Sequence, residues 1–141
     1  MNDDNEGGGD YVTTVPPRRE IKHYHGDKSR IIFVVAAILL VLGQSTGAEL
    51  PLSTLGSVVA AIVLVIAAGV TNPMQTGIHW WNAALAVFGA IVFGYSAVAH
   101  YRAGYGFFDS GFVFTEALAL LSLVALYFTV RTIRGVNQRR V

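Results

Sequence analysis

The sequence predicts an all-α integral membrane protein: a four-helix transmembrane bundle of two hairpins behind a disordered N-terminal tail. Three observations carry this. Between Ile31 and Val130 only Glu49, Arg102, Asp109 and Glu116 are charged, and the other charges of the 141-residue chain flank that block. A charge held in hydrocarbon costs several kcal/mol, so a bilayer expels charges to helix ends and loops. Charged residues make up 13% of the chain, about half the ~25% of a soluble domain. The apolar block also falls into four continuous runs, not the alternating ~10-residue segments of an outer-membrane barrel.

Residues 1–17 form the tail. Asp3, Asp4, Glu6 and Asp10 surround Gly7-Gly8-Gly9, and the segment ends in Pro16-Pro17 with almost nothing apolar to bury. Residues 18–30 are a basic juxtamembrane segment carrying Arg18, Arg19, Lys22, Lys28 and Arg30, suited to anionic headgroups. Residues 31–131 form the transmembrane domain, with spans at about 28–47, 52–70, 78–101 and 112–130. The first apolar run, Ile31–Leu42, covers only ~18 Å of a ~30 Å core. Snorkelling of Lys28 and Arg30, and extension through Gly43–Ala48, complete that span. The second follows Pro51 and closes at Asn72-Pro73, because proline cannot continue a helix. The third contains Gly89 and Gly94, and the fourth ends against Arg131. Residues 132–141 form a basic cytoplasmic tail.

An even number of spans puts both basic tails on one side, and the positive-inside rule makes that side the cytoplasm. The expectation is a multi-pass protein of the plasma or inner membrane with both termini cytoplasmic. Trp80 and Trp81 then form an inner aromatic belt, and Tyr101, Tyr105, Phe107 and Phe108 an outer one. A competing account reads Ile31–Leu42 as the apolar core of a secretory signal, cleaved after Ala48 to leave three spans. A thirty-residue, initially acidic leader ahead of the apolar run speaks against it.

Small residues recur at four-residue spacing: Gly56-Ala60 and Ser53-Ser57-Ala61 on the second helix, Ala86-Ala90-Gly94 on the third. Such faces let helix backbones approach closely. Packing within one bundle is the preferred account, and a face for self-association or a partner the sharper one.

Few residues qualify as chemical sites. Glu116 is the only acid well inside a span, and an intramembrane ionisable residue is a functional candidate by default. With His100, Arg102 and Asp109 it forms an outer polar cluster able in principle to hold a proton or cation. A structural tie between the third and fourth helices is preferred, since so shallow a position reaches interfacial water. Gln75, His79 and Asn82 form an inner cluster, with His79 and Asn82 on one helical face. Interhelical hydrogen bonding explains them more simply than ligand binding. His23-x-His25-x-Asp27 is a weak metal pattern. No HExxH, GxSxG or phosphate loop occurs. Cysteine is absent, which excludes disulfides and thiolate ligands. No metal, cofactor or nucleic-acid partner is expected.

The expected function is non-enzymatic: an accessory subunit or assembly factor that contacts another membrane protein, or a copy of itself, within the lipid bilayer. The alternative is a homo-oligomeric carrier or channel for a small solute, cation or proton using Glu116, His100 and Arg102. A conductive path needs polar groups at mid-depth, and Val58–Ile66, Leu85–Phe93 and Leu118–Ala125 are nearly all apolar, with Ser122 the main exception.

Overall fold

A computed structural model describes residues 26–70 and 76–137. The acidic tail, His23, His25, Asn72 and Gln75 lie outside the described residues. Four helices follow in order: α1 (Gly26–Ser45), α2 (Thr54–Val70), α3 (Thr76–Arg102) and α4 (Ser110–Asn137). No strand occurs among the described residues. α1, α3 and α4 are long and apolar enough to cross a membrane. α2 is shorter at 17 residues and carries no charge.

Local chemistry sets the helix ends. Ser53 Oγ accepts the Gly56 N–H (3.2 Å) at the start of α2. Asp109 Oδ2 accepts the N–H groups of Gly111 (3.0 Å) and Phe112 (3.3 Å) at the start of α4. Both are N-caps that satisfy donors a first turn leaves orphaned. α1 and α3 close on glycines in the left-handed region, Gly47 (φ 72°) and Gly104 (φ 81°). Around them Ala48 N–H donates to Gly43 O and Gly47 N–H to Gln44 O, and likewise Tyr105 to His100 and Gly104 to Tyr101. This paired pattern is the Schellman motif, which needs a residue free of a Cβ penalty at that position.

Neighbouring helices run antiparallel. Arg30 and Gln44 of α1 reach Ala68 and Ser57 of α2. His100 and Gly89 of α3 meet Thr115 and Ser122 of α4. Lys28 lies over the Phe128 ring, 5.5 Å from its centroid, and Gly43 adjoins Phe114, so α1 and α4 are antiparallel too. One end of the bundle therefore gathers the 46–53 and 103–109 loops, and the other gathers the start of α1 and the end of α4. Packing is most extensive between α3 and α4, then between α1 and its neighbours α2 and α4, whereas α2 and α3 barely touch. The layout across the bundle is α2–α1–α4–α3, open between its first and last members.

The interior is built from small residues. Among the described residues, eleven of the sixteen buried hydrophobics are alanine. The large side chains Ile38, Ile62, Ile66, Phe88, Ile91 and Leu123 are exposed instead. A water-soluble bundle buries its Leu, Ile and Phe first. Helices surrounded by lipid gain nothing from that and pack through small residues.

Hydroxyls join this interior at little cost. Thr115, Thr129 and Thr132 are buried, and each donates to its own helix, Thr115 to Gly111 O (2.7 Å), Thr129 to Ala125 O (2.6 Å) and Thr132 to Phe128 O (2.8 Å). Such back-bonding removes the penalty of an unpaired polar group.

The α1–α2 hairpin is clasped at both ends. At the loop end, Gln44 Nε2 donates to Ser57 Oγ (2.9 Å) and Leu52 O (3.3 Å), while Gln44 Oε1 accepts from Thr54 Oγ1 (3.3 Å). Ser57 is fully buried. Gln44→Leu should therefore lower stability by about 1–3 kcal/mol, the cost of stranding a buried polar group. Adding Ser57→Ala should restore most of it, because removing both partners removes the stranded hydroxyl. Equilibrium unfolding in detergent micelles checks both, and an unimproved double variant would count against the clasp. At the opposite end, Arg30 Nε donates to Ala68 O (2.7 Å) and Arg30 Nη2 to Gly69 O (3.3 Å). α1 thus supplies the cation that the last turn of α2 lacks in its own sequence.

Candidate functional site

At the loop end, His100 and Arg102 finish α3, Asp109 and Thr115 begin α4, and Glu49 lies in the α1–α2 loop. The structure brings part of this set together. His100 Nδ1 is 3.5 Å from Thr115 Oγ1, and its ring is 5.0 Å, centroid to centroid, from that of Tyr105. Tyr105 Oη donates to Glu49 Oε2 (3.2 Å), tying the two loops. Asp109 caps α4 through its Oδ2. Arg102 is exposed, and Glu116 is half-buried between the first and second turns of α4. Among the described residues the only ion pair is Arg30–Asp27 at 3.8 Å. Glu116 is thus not joined to His100 or Arg102 by a salt bridge. Tyr105 and Glu49 were not readable as partners from a sequence separation of 56 residues. For Asp109 the sequence does carry a signal, since Asp-Ser-Gly ahead of an apolar run marks an N-cap.

The Glu49 carboxylate raises the Tyr105 phenol above its ordinary pKa, first by charge repulsion of the phenolate and then by accepting its hydrogen bond. A group whose folded pKa is raised contributes stability that is present below its unfolded pKa, here 10.0, and is lost as pH rises through the folded value. Tyrosinate absorbance should accordingly include one late-titrating tyrosine, and Glu49→Gln should move that component to lower pH. An unchanged titration curve would show that the loop tie is absent in solution.

At the opposite end, His79 and Asn82 of α3 are both buried. They lie within a turn of the exposed Trp80 and Trp81, on the opposite face of the helix. Lys28, Arg30, Arg131 and Arg134 gather at this end, against Asp27. The loop end carries Glu49, Asp109 and Arg102, with exposed Tyr101, Phe107 and Phe108. No group of three or more histidine, aspartate or glutamate side chains is placed to hold a metal among the described residues.

Between these ends lies an apolar cleft where α2 and α3 diverge, with α1 and α4 as its floor. Its volume is about 260 Å³. Gly56 and Ala60 line it from α2, Ala86 and Gly89 from α3, and Ser122 from α4 is its only hydroxyl. That hydroxyl already donates to Leu118 O (2.8 Å). Ala90 and Gly94 are half-buried outside the cleft, and a Cβ at Gly94 would meet nothing within 4 Å. The close approach of α3 to α4 is at Gly89, where a Cβ would come within 2.5 Å of Ser122 Oγ. Chemically, this arrangement can pack against apolar groups. It does not assemble a nucleophile, a base and an oxyanion donor in one cavity. Comparison with protein-family models, with curated proteins and with solved structures finds no match to this chain.

Proposed function

We propose that the protein is a polytopic membrane protein with four spans and both termini in the cytoplasm, and that it acts by interaction rather than catalysis, as an accessory subunit or assembly factor of a membrane complex. The observation that carries this reading is the inverted packing: alanine and hydroxyl residues inside, large branched and aromatic residues outside. Trp80 and Trp81 near one end and Tyr101, Phe107 and Phe108 at the other bracket the apolar girdle at interfacial depth. α2, the shortest of the four at 17 residues, covers ~26 Å, within reach of a bilayer that thins locally or of flanking residues that extend the span. The cluster of basic residues at the end where α1 starts and α4 finishes supports a cytoplasmic assignment of that end by the positive-inside rule.

The interaction reading is further supported by how the polar residues are spent. Gln44, Ser57, Arg30 and Asp109 cap helices or tie them together, and the α4 hydroxyls bond back to their own helix. The cleft that runs along mid-depth is apolar, which disfavours a conductive path.

The test is mild extraction from the native membrane followed by native mass spectrometry. Stoichiometric co-extraction of a different, larger membrane protein supports the accessory role. A homo-oligomer without partners, together with a solute or proton flux in proteoliposomes that Glu116→Gln abolishes, overturns it.

A further inference from the structure

We infer that the α2/α3 cleft is a binding site for one acyl chain of an anionic phospholipid, whose headgroup rests beside Arg30 and Trp81; the inference rests on the membrane reading above. Size selects the occupant. The cleft runs from Gly56 to Leu64 along α2 and from Leu85 to Phe93 along α3, about 12 Å at 1.5 Å per residue. A volume of about 260 Å³ over that length gives a cross-section on the order of 20 Å². One turn of α-helix with its side chains fills roughly 400–600 Å³, so neither a partner's helix nor one from a second copy of this chain fits inside. A single alkyl chain does, since packed methylene chains lie about 4–5 Å apart and take up a section on the order of 20 Å².

Chemistry agrees with size. The lining is apolar, and its one hydroxyl is already satisfied within α4, so the site asks for hydrocarbon without a polar group at depth. Val63 lines both this cleft and a shallower groove beyond it, bounded by Val70, Gly77 and Trp81. The channel therefore continues to the basic end of the bundle. There Trp81 is exposed, suited to headgroup depth. The Arg30 guanidinium sits on the last carbonyls of α2, four residues beyond Leu64, with its side chain 42% exposed. Its only acidic neighbour among the described residues is Asp27 at 3.8 Å. A lipid phosphate at this position meets a cation already oriented by two backbone acceptors.

The experiment uses the full chain reconstituted in nanodiscs of equal phosphatidylglycerol and phosphatidylcholine, released in native mass spectrometry. One phosphatidylglycerol per chain should survive release, in preference to phosphatidylcholine. Ala60→Phe, which places a ring in the cleft, should reduce retention about tenfold, the loss expected when about two methylenes lose their burial. Val59→Phe, from a more exposed lining position, should do the same, and circular dichroism reports whether each variant is folded. A diazirine-bearing acyl chain on phosphatidylglycerol reads the wild type directly, with crosslinks expected at Leu64, Leu85 and Val92 in excess over the outward-facing Ile91 and Tyr95. Retention that folded cleft variants do not alter, retention without headgroup preference, crosslinks spread evenly over the surface, or a second protein held there in place of lipid would each overturn the inference. Release of the chain from membranes by alkaline carbonate would instead sink the membrane reading itself. A chain that stays in the membrane yet retains no lipid sinks the cleft assignment alone.

Discussion

Gly89→Ala is expected to loosen α3 from α4, at a cost of about 1–3 kcal/mol, the range for overpacking a well-filled contact. A Cβ at Gly89 would lie 2.5 Å from Ser122 Oγ and 3.3 Å from Ser122 Cβ. Rotating the hydroxyl away relieves only the first contact, and it breaks the 2.8 Å bond to Leu118 O. The Cβ pair remains tight, so the helices must part or slide. Gly89→Leu should cost more still, since no rotamer carries its branch out of the interface. Two controls make the prediction specific. Ser122→Gly removes both offending atoms and should rescue Gly89→Ala. Gly94→Ala, at a position where a Cβ meets nothing within 4 Å, should be nearly neutral. Equilibrium unfolding in detergent gives the energies. A Gly89→Ala variant as stable as the parent, or a Ser122→Gly second change that brings no recovery, would show that the α3–α4 contact is looser than this geometry.

The same two glycines show how far the sequence can be read. Helix number, type and approximate limits follow from continuous apolar runs punctuated by Pro51 and Asn72-Pro73, because charge expulsion and proline chemistry are local properties. Which face of a helix packs on which neighbour is not local. Four-residue spacing singles out Ala86, Ala90 and Gly94, whereas the tightest approach falls at Gly89, on the face shared by Ala86, Phe93 and Ala97. In an apolar helix every face looks alike to hydropathy, and small residues are only permissive. A sharper signal lay in α4. Thr115, Ser122 and Thr129 are seven residues apart, and each donates to the carbonyl four residues earlier. Hydroxyls at heptad spacing in an otherwise apolar run mark an inward stripe, since each can be buried without a partner on another helix.

Site residues divide along the same line. Glu116, His100 and Arg102 stand out in sequence because a titratable group in an apolar stretch is rare. Gln44 and Arg30 look ordinary at the edges of the first run. Their roles depend on α2 folding back along α1, a tertiary fact that brings residues 13 and 38 positions apart into contact. The α2/α3 cleft is less legible still. It arises because α1 and α4 pack on each other while α2 and α3 barely touch, and nothing in either helix alone records that.

Arg30→Met is expected to destabilise the α1–α2 hairpin by about 1.5–3 kcal/mol, the value of hydrogen bonds made by a charged donor. Methionine keeps an apolar stem of similar reach, so the loss isolates the guanidinium from the packing of its methylenes. Three contacts could carry the effect: the Ala68 carbonyl at 2.7 Å, the Gly69 carbonyl at 3.3 Å and the Asp27 carboxylate at 3.8 Å. The ion pair is the weakest of them. Asp27 is 78% exposed, and pairs of that kind contribute about 0–1 kcal/mol. Asp27→Asn should therefore be close to neutral. The carbonyls matter more, because the last turn of a helix leaves them without intrahelical donors, and the segment after Val70 meets Pro73, which has no N–H to offer. Arg30→Lys should fall between the parent and Arg30→Met: an ammonium supplies the charge but cannot fork across two carbonyls as the planar guanidinium does. Amide hydrogen exchange locates the loss. Faster exchange confined to the final turns of α2, with α3 and α4 unchanged, is the expected pattern in Arg30→Met. Equal effects from Asp27→Asn and Arg30→Met would assign the contribution to the ion pair and remove the α2 terminus from the account.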